Sequence, residues 1–151
     1  MLKKRFPVYY EGTKMRWATG TAVWGAPGYC FLSGTEGQKG PESIIEEGMK
    51  EQTRLSLEKM KERLEDFGTT LDNICHLWYY IVGSDFPNGV APDPKFVEAA
   101  GAIDEFWAKY CPDFCWKENP PPSTLVGVSG LGARGQLIEI MCIAAVPPLE
   151  G

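Results

Sequence analysis

Apolar and polar positions alternate with a period of two near the C-terminus. Leu137, Glu139, Met141 and Ile143 fall on one face, and Ile138, Ile140 and Cys142 on the other. This is the pattern of a strand, and it sets one carboxylate, Glu139, among apolar neighbours. An ionised carboxylate there is costly unless it is paired or used, so Glu139 is the first candidate for chemistry. A second strand lies in the stretch Pro120 to Val128, which opens with Pro120-Pro121-Pro122. Proline cannot donate to a ladder, so the triplet belongs outside that strand or at its edge.

Upstream, Met15 to Trp24 and Tyr29 to Leu32 read as two strands, and Gly25-Ala26-Pro27-Gly28 between them is a hairpin signal. Residues 1–12 read as an extension with apolar anchors, and residues 13–151 as one domain. Asn73 to Val82, aromatic and β-branched, is a further strand. Two stretches change the period. Ile45, Met49, Thr53, Leu57, Met60, Leu64 and Phe67 recur every three or four residues, the mark of an amphipathic helix. Ser43 with Glu46 would form its capping box, and Gly68 its stop. Phe96 to Tyr110 carries a second, broader apolar stripe. The predicted order is β-β-α-β-α-β-β, an α+β domain with both helices packed on one face of a mixed sheet.

Composition narrows the function classes. The chain has 151 residues, 44% hydrophobic and 23% charged, as expected for one globular domain. Its net charge of -5 argues against nucleic acid as a partner. The one basic cluster, Lys3-Lys4-Arg5, reads as a solvated tail. No apolar run approaches the roughly 20 residues of a membrane span, and no apolar segment follows the basic N-terminus as in a signal peptide. The odd cysteine count, five without regular spacing, suggests reduced thiols and a cytoplasmic location. Cys30, Cys75 and Cys142 lie in apolar runs and read as small buried hydrophobes.

The remaining chemistry is sparse. The single histidine, His76, alternates with Trp78 and Tyr80 on a strand face and reads as structural. Cys111 and Cys115 with His76 form at most one thiol pair, so no metal site is expected. The glycine-rich segment 34–40 lacks a phosphate-loop lysine and the dinucleotide fingerprint, so no cofactor is expected.

Four segments in register resemble the Rid family, the reactive intermediate deaminases also called YjgF-like or L-PSP proteins. They are Phe31-Leu32-Ser33-Gly34, Glu51-Gln52-Thr53-Arg54 with Leu64 and Gly68, Pro121 to Val128, and Ile138-Glu139-Ile140 to Ala144. The resemblance covers roughly residues 16–146. It implies a chorismate-mutase-like fold, a homotrimer, and a small-molecule pocket between subunits. It also implies hydrolysis of imines or enamines to a ketone and ammonia. Glu139 matches the family's pocket glutamate and Ser33 its serine. The arginine that grips a substrate carboxylate is Ser123 here, and the pocket tyrosine falls on Ala18 or Thr19. The chain is thus similar to the arginine-lacking members.

On this reading Glu139 is the catalytic base, placing and partly deprotonating the attacking water. The alternative is that Glu139 pairs with Arg134 or Arg16 and orders an interface. Ser123, Ser33, Thr19, Arg134 and Arg16 are the substrate-binding candidates, with either arginine able to replace the missing cation. A non-catalytic protein binding a small molecule in the same cleft is the second functional reading. Members are also labelled endoribonucleases, which an acidic chain with one histidine supports little.

Overall fold

The computed structural model describes residues 1–38, 45, 47–83, 94–111 and 119–149. Its strands are β1 (Leu2–Tyr10), β2 (Thr13–Trp24), β3 (Gly28–Phe31), β4 (Ile74–Val82), β5 (Ser123–Val128) and β6 (Ile138–Val146). Its helices are α1 (Met49–Asp66) and α2 (Pro94–Tyr110). A four-stranded sheet has the order β3-β6-β4-β5. β5 runs parallel to β4, and the other neighbours are antiparallel, so the sheet is mixed. β1 and β2 form a separate two-stranded sheet.

The period-two reading of β6 holds. Ile138, Ile140, Cys142 and Ala144 are fully buried, while Glu139, Met141 and Ile143 are half-buried. Register continues the two faces across β4, where Leu77 lies beside Cys142 and Tyr80 beside Glu139. The buried face shares one core with Leu57, Met60 and Leu64 of α1 and Ala99, Phe106 and Trp107 of α2. Both helices therefore cover one face, as the pattern required. Each large side chain buried there contributes roughly 1.5–3 kcal/mol. The opposite face keeps His76, Trp78, Tyr80, Glu139, Met141 and Ile143 half-buried in the single chain.

Three expectations are corrected. First, Leu2–Tyr10 of the supposed extension is a strand, and β2 pairs with it rather than with β3. Glu11 (φ 48°) and Gly12 (φ 81°) make a two-residue loop with both residues left-handed, which matches the twist of an antiparallel pair. Gly25 to Pro27 instead carries the chain across to β6, where Cys30 lies beside Ala144. Pro7 is tolerated because β1 is an edge strand and its ladder is irregular on both sides of that residue.

Second, Lys3-Lys4-Arg5 is not a free tail. Arg5 is only 8% exposed. Its guanidinium donates to the carbonyls of Ile74, Asp72 (3.4 Å) and Asn119 (3.0 Å) and to Thr21 Oγ1 (3.2 Å). Lys3 Nζ adds bonds to Asp72 O (2.8 Å) and Asn73 Oδ1 (2.7 Å). Only Lys4 is turned outward, its Nζ 4.7 Å from the centre of the Phe6 ring.

Third, α1 begins at Met49, not near Ser43. Gly48 (φ 82°, ψ 149°) precedes the first turn and accepts from Gln52 N–H through its carbonyl at 3.1 Å. Ile45 instead forms a bridge with Gln38. The expected cap residues Ser43 and Glu46 lie outside the described residues. The stop is as predicted. Gly68 (φ 70°) donates to Glu65 O and Thr69 to Leu64 O, the pair of bonds that closes a helix on a left-handed glycine. Phe67, read as the end of the stripe, is exposed because it lies past the last helical turn.

Candidate functional site

Glu139 is the second residue of β6, on the sheet face away from the helices. Two loops bracket it. The first continues β3. Phe31 lies opposite Ile143, Leu32 N–H donates to Cys142 O (3.0 Å), and Thr35 exchanges both backbone bonds with Ile140 (2.7 and 3.0 Å). Four residue steps from Phe31 to Thr35 thus face three from Ile143 to Ile140. The extra residue makes a β-bulge at Ser33-Gly34, a distortion common beside active sites because it re-aims a side chain. Thr35 Oγ1 also donates to Ile140 O at 3.0 Å, which locks the far side of the bulge.

The need for glycine at the bulge is steric. A Cβ on Gly34 would clash with the Glu139 side chain, lying well inside contact distance of its Oε1, Cδ and Cγ. The carboxylate rests directly on the Gly34 backbone. From the last turn of α1, Arg63 Nη1 donates to Gly34 O at 3.2 Å and holds the bulge from the helix side. Lys59 Nζ and Glu36 pair at 3.6 Å on the same loop.

The second loop, residues 129–137, is clamped by Gln52 in the first turn of α1. Gln52 is 1% exposed. Its Nε2 donates to Gly135 O (2.9 Å) and its Oε1 accepts from Leu137 N–H (2.8 Å). Gly37 packs against the same residue, where a Cβ would lie 2.7 Å from the Gln52 Cα. One buried residue therefore meets both loops, bonding the second through its amide and packing against the first through its Cα, Cβ and Cγ. Among the described residues, the polar partner of Glu139 is Gln136, whose Nε2 lies 3.4 Å from Oε2. Across the sheet stands Tyr80, its hydroxyl 3.8 Å from Met141 Sδ.

The sequence candidates divide sharply. Ser33 is exposed at the bulge beside Glu139. Ser123 opens β5 in register with Leu77, on the helix-covered side, so it and Glu139 lie on opposite faces of the sheet. Thr19 donates through Oγ1 to Phe6 O at 2.9 Å within the β1–β2 sheet. Arg16 pairs with Asp104 of α2 at 3.0 Å. Burial raises the Asp104 carboxyl pKa, and Arg16 draws it back down. Arg134 is exposed in the second loop. The contact that Glu139 makes is with the neutral Gln136 rather than with either arginine. Because Arg16 is half-exposed in its pair with Asp104, Arg16→Ala is expected to cost at most about 1 kcal/mol in chemical denaturation.

Other groups are spoken for. His76 Nε2 lies 2.9 Å from Thr124 Oγ1, its ring 4.2 Å from that of Trp78, and burial lowers its pKa. Burial raises the pKa of Cys30 and Cys75 and pushes Cys142 up to about 12, so these thiols stay protonated and poor as nucleophiles. Cys115 lies outside the described residues. Among those described, no three His, Cys, Asp or Glu side chains converge as a metal would need. No described helix is long and apolar enough to cross a membrane.

Sequence reasoning missed Gln52, Gly34 and Gln136 as site residues. Gln52 was legible in one respect, since it adjoins Met49 and Ser56 on the buried stripe while being polar. The role of Gly34 depends on a bulge that no local pattern announces.

Residues 21–146 match the sequence pattern of the family described as Endoribonuclease L-PSP. Among solved structures, a Rid-family protein of unknown function from Yersinia pestis is 19% identical. The alignment covers 94% of this chain and 98% of that one, with a TM-score of 0.67. TdcF of E. coli, solved with bound serine, is 21% identical over 85% of this chain and 86% of its own, with a TM-score of 0.61. A YjgF-family member from Mycobacterium tuberculosis is 19% identical over 96% and 100%, with a TM-score of 0.56. No curated protein matches the chain.

Proposed function

The chain belongs to the Endoribonuclease L-PSP family, the Rid or YjgF group, and on that premise we propose that it is a cofactor-free hydrolase of a reactive imine or enamine. The observation that carries this reading is the placement of Glu139. Its carboxylate is lodged on the Gly34 bulge, half-open to solvent, on a sheet face that the helices leave uncovered.

The chemistry follows from that placement. The imine enters protonated on nitrogen. Water attacks its carbon while one water proton passes to the Glu139 carboxylate, giving a neutral carbinolamine. Glu139 returns that proton to the amine nitrogen, the C–N bond breaks with loss of ammonia, and the hydroxyl proton passes back to the Glu139 carboxylate and on to solvent, leaving the carbonyl compound. A single carboxylate can serve as base, then acid, then base again. An enamine enters the same route after protonation at carbon.

One chain supplies one wall of such a site. Ser123 is on the far face from Glu139, so the two meet only if a second subunit closes the cleft. The uncovered face also carries Phe31, 73% exposed, at its β3 edge. Exposed aromatic surface of this kind marks an interface. We therefore place the pocket between subunits of a homotrimer, with Ser33 beside the base. Ser123, Arg134, Thr19 and Arg16 are then candidates for the opposite wall. TdcF with its bound serine supports a small polar molecule as the ligand class. With Ser123 where an arginine would bind a carboxylate, uncharged imines are the favoured substrates.

The test is ammonia release from freshly generated imines and enamines, with and without a carboxylate, on protein whose mass in solution is measured. Turnover of uncharged members by a trimer supports the reading. A well-folded trimer that is stabilised by such compounds yet releases no ammonia would be a binding protein instead.

A further inference from the structure

We infer that Gln136 is a positioning residue, a neutral clamp that fixes the Glu139 carboxylate by its Oε2 while Gln52 fixes the loop that carries the clamp. The catalytic consequence rests on the hydrolase reading above; the clamp itself does not. Gln136 is 6% exposed, and every polar atom of its side chain is engaged. Its Oε1 accepts from the Ala133 N–H at 3.1 Å. Its Nε2 donates to Ile138 O at 3.3 Å and to Glu139 Oε2 at 3.4 Å. Because a backbone N–H can only donate, the amide oxygen must face Ala133, and the amide NH2 must face β6. The orientation of the donor is therefore dictated by the loop.

The loop is fixed in turn. Ala133 O accepts from Gln136 N–H at 3.1 Å, closing a tight turn just before the clamp. On either side of Gln136, Gly135 O and Leu137 N–H are both taken by Gln52. Glu139 is thus gripped from two directions, by Gly34 beneath Oε1 and by Gln136 on Oε2. A general base must be held near the attack geometry, and small displacements are costly. A cation at the Gln136 position would hold the carboxylate equally well but would weaken it as a base. A neutral amide fixes the geometry without supplying a counter-charge.

Two kinds of measurement test this. In 15N-labelled protein, the Gln136 side-chain amide signals of Glu139→Gln should be displaced from those of wild type, because the charged acceptor of Nε2 is gone. In Arg16→Ala they should stay where they are in wild type. Kinetically, Gln136→Met should lower kcat roughly tenfold or more while KM stays within about twofold. Gln136→Glu should act by a different route. Protonated, the new carboxyl donates as the amide does; ionised, it repels Glu139. Ionised near neutral pH, it both fails to donate and repels, so its kcat there should fall at least as far as that of Gln136→Met. Amide signals indifferent to Glu139, or wild-type kcat in Gln136→Met, would overturn the inference. Amide signals that follow Glu139 in a protein that hydrolyses nothing would leave the clamp standing and remove the hydrolase reading. The amide measurement needs no Gln136 variant, so a misfolded Gln136→Met cannot obscure its outcome.

Discussion

Glu139→Gln is expected to lower ammonia release about 10²- to 10⁴-fold, the range for loss of a general base, while leaving the fold and assembly intact. The substitution keeps shape and volume, and the residue is half-buried on the uncovered face rather than in the core. What disappears is the ability to take the proton from water as it attacks. Gly34→Ala should reach a comparable loss by a different route. The added methyl would clash with the Glu139 side chain at Oε1, Cδ and Cγ, so that side chain must swing away. Gly34 is not in the left-handed region, so the substitution carries no backbone penalty of that kind. The two variants should therefore share a low kcat and differ little from wild type in thermal unfolding. Wild-type turnover in Glu139→Gln would remove Glu139 from the chemistry. Wild-type turnover in Gly34→Ala would mean that the bulge does not aim it.

The second large effect concerns stability. Arg5→Leu is expected to destabilise the protein by on the order of 3 kcal/mol, lowering Tm by roughly 10 °C. Arg5 ties β1 to the start of β4 through Ile74 O and Asp72 O, and to the approach of β5 through Asn119 O. Leucine fills the space but leaves these buried carbonyls without their donor, and an unsatisfied buried acceptor costs more than a lost surface contact. Hydrogen exchange separates this cause from general weakening. Amides of β1 and β2 should lose protection first, with those of β6 following only at global unfolding. Equal protection in both sheets of the variant would show that Arg5 is not the clip. The matched family stretch begins at residue 21, so β1 and the first part of β2 lie outside it, and their attachment rests on contacts such as these.

How much was legible follows from the range of each interaction. The strand period of β6, the stripe of α1 and the stop at Gly68 are local, written in neighbours two to five residues apart, and all three were readable. The partner of β2 was not. A glycine-proline segment before β3 and a Glu-Gly pair before β2 are both turn signals, and only the left-handed geometry of Glu11 and Gly12 decides which closes a hairpin. Arg5 looked like part of a solvated tail because its acceptors are carbonyls 67 to 114 residues away, and carbonyls leave no trace in composition.

The site shows the same division. Alternation alone raised Glu139 as a candidate, because a carboxylate in an apolar strand needs a reason to be there. Its environment could not be read from charge. The sequence offered Arg134 and Arg16 as partners, the nearest obvious cations, but Arg16 is drawn off to Asp104 and the partner made is an uncharged glutamine. By itself the sequence determined both helices, the strands from β2 onward, the buried face and the family, and it raised Glu139 as a candidate, since periodicity and motif spacing are properties of the chain. Only the tertiary structure decided that Gly34 must lack a side chain, that Gln52 joins two loops, and that Ser123 and Glu139 face opposite ways. Those facts depend on bulges, register and close approach between segments 15 to 105 residues apart, which local pattern does not encode.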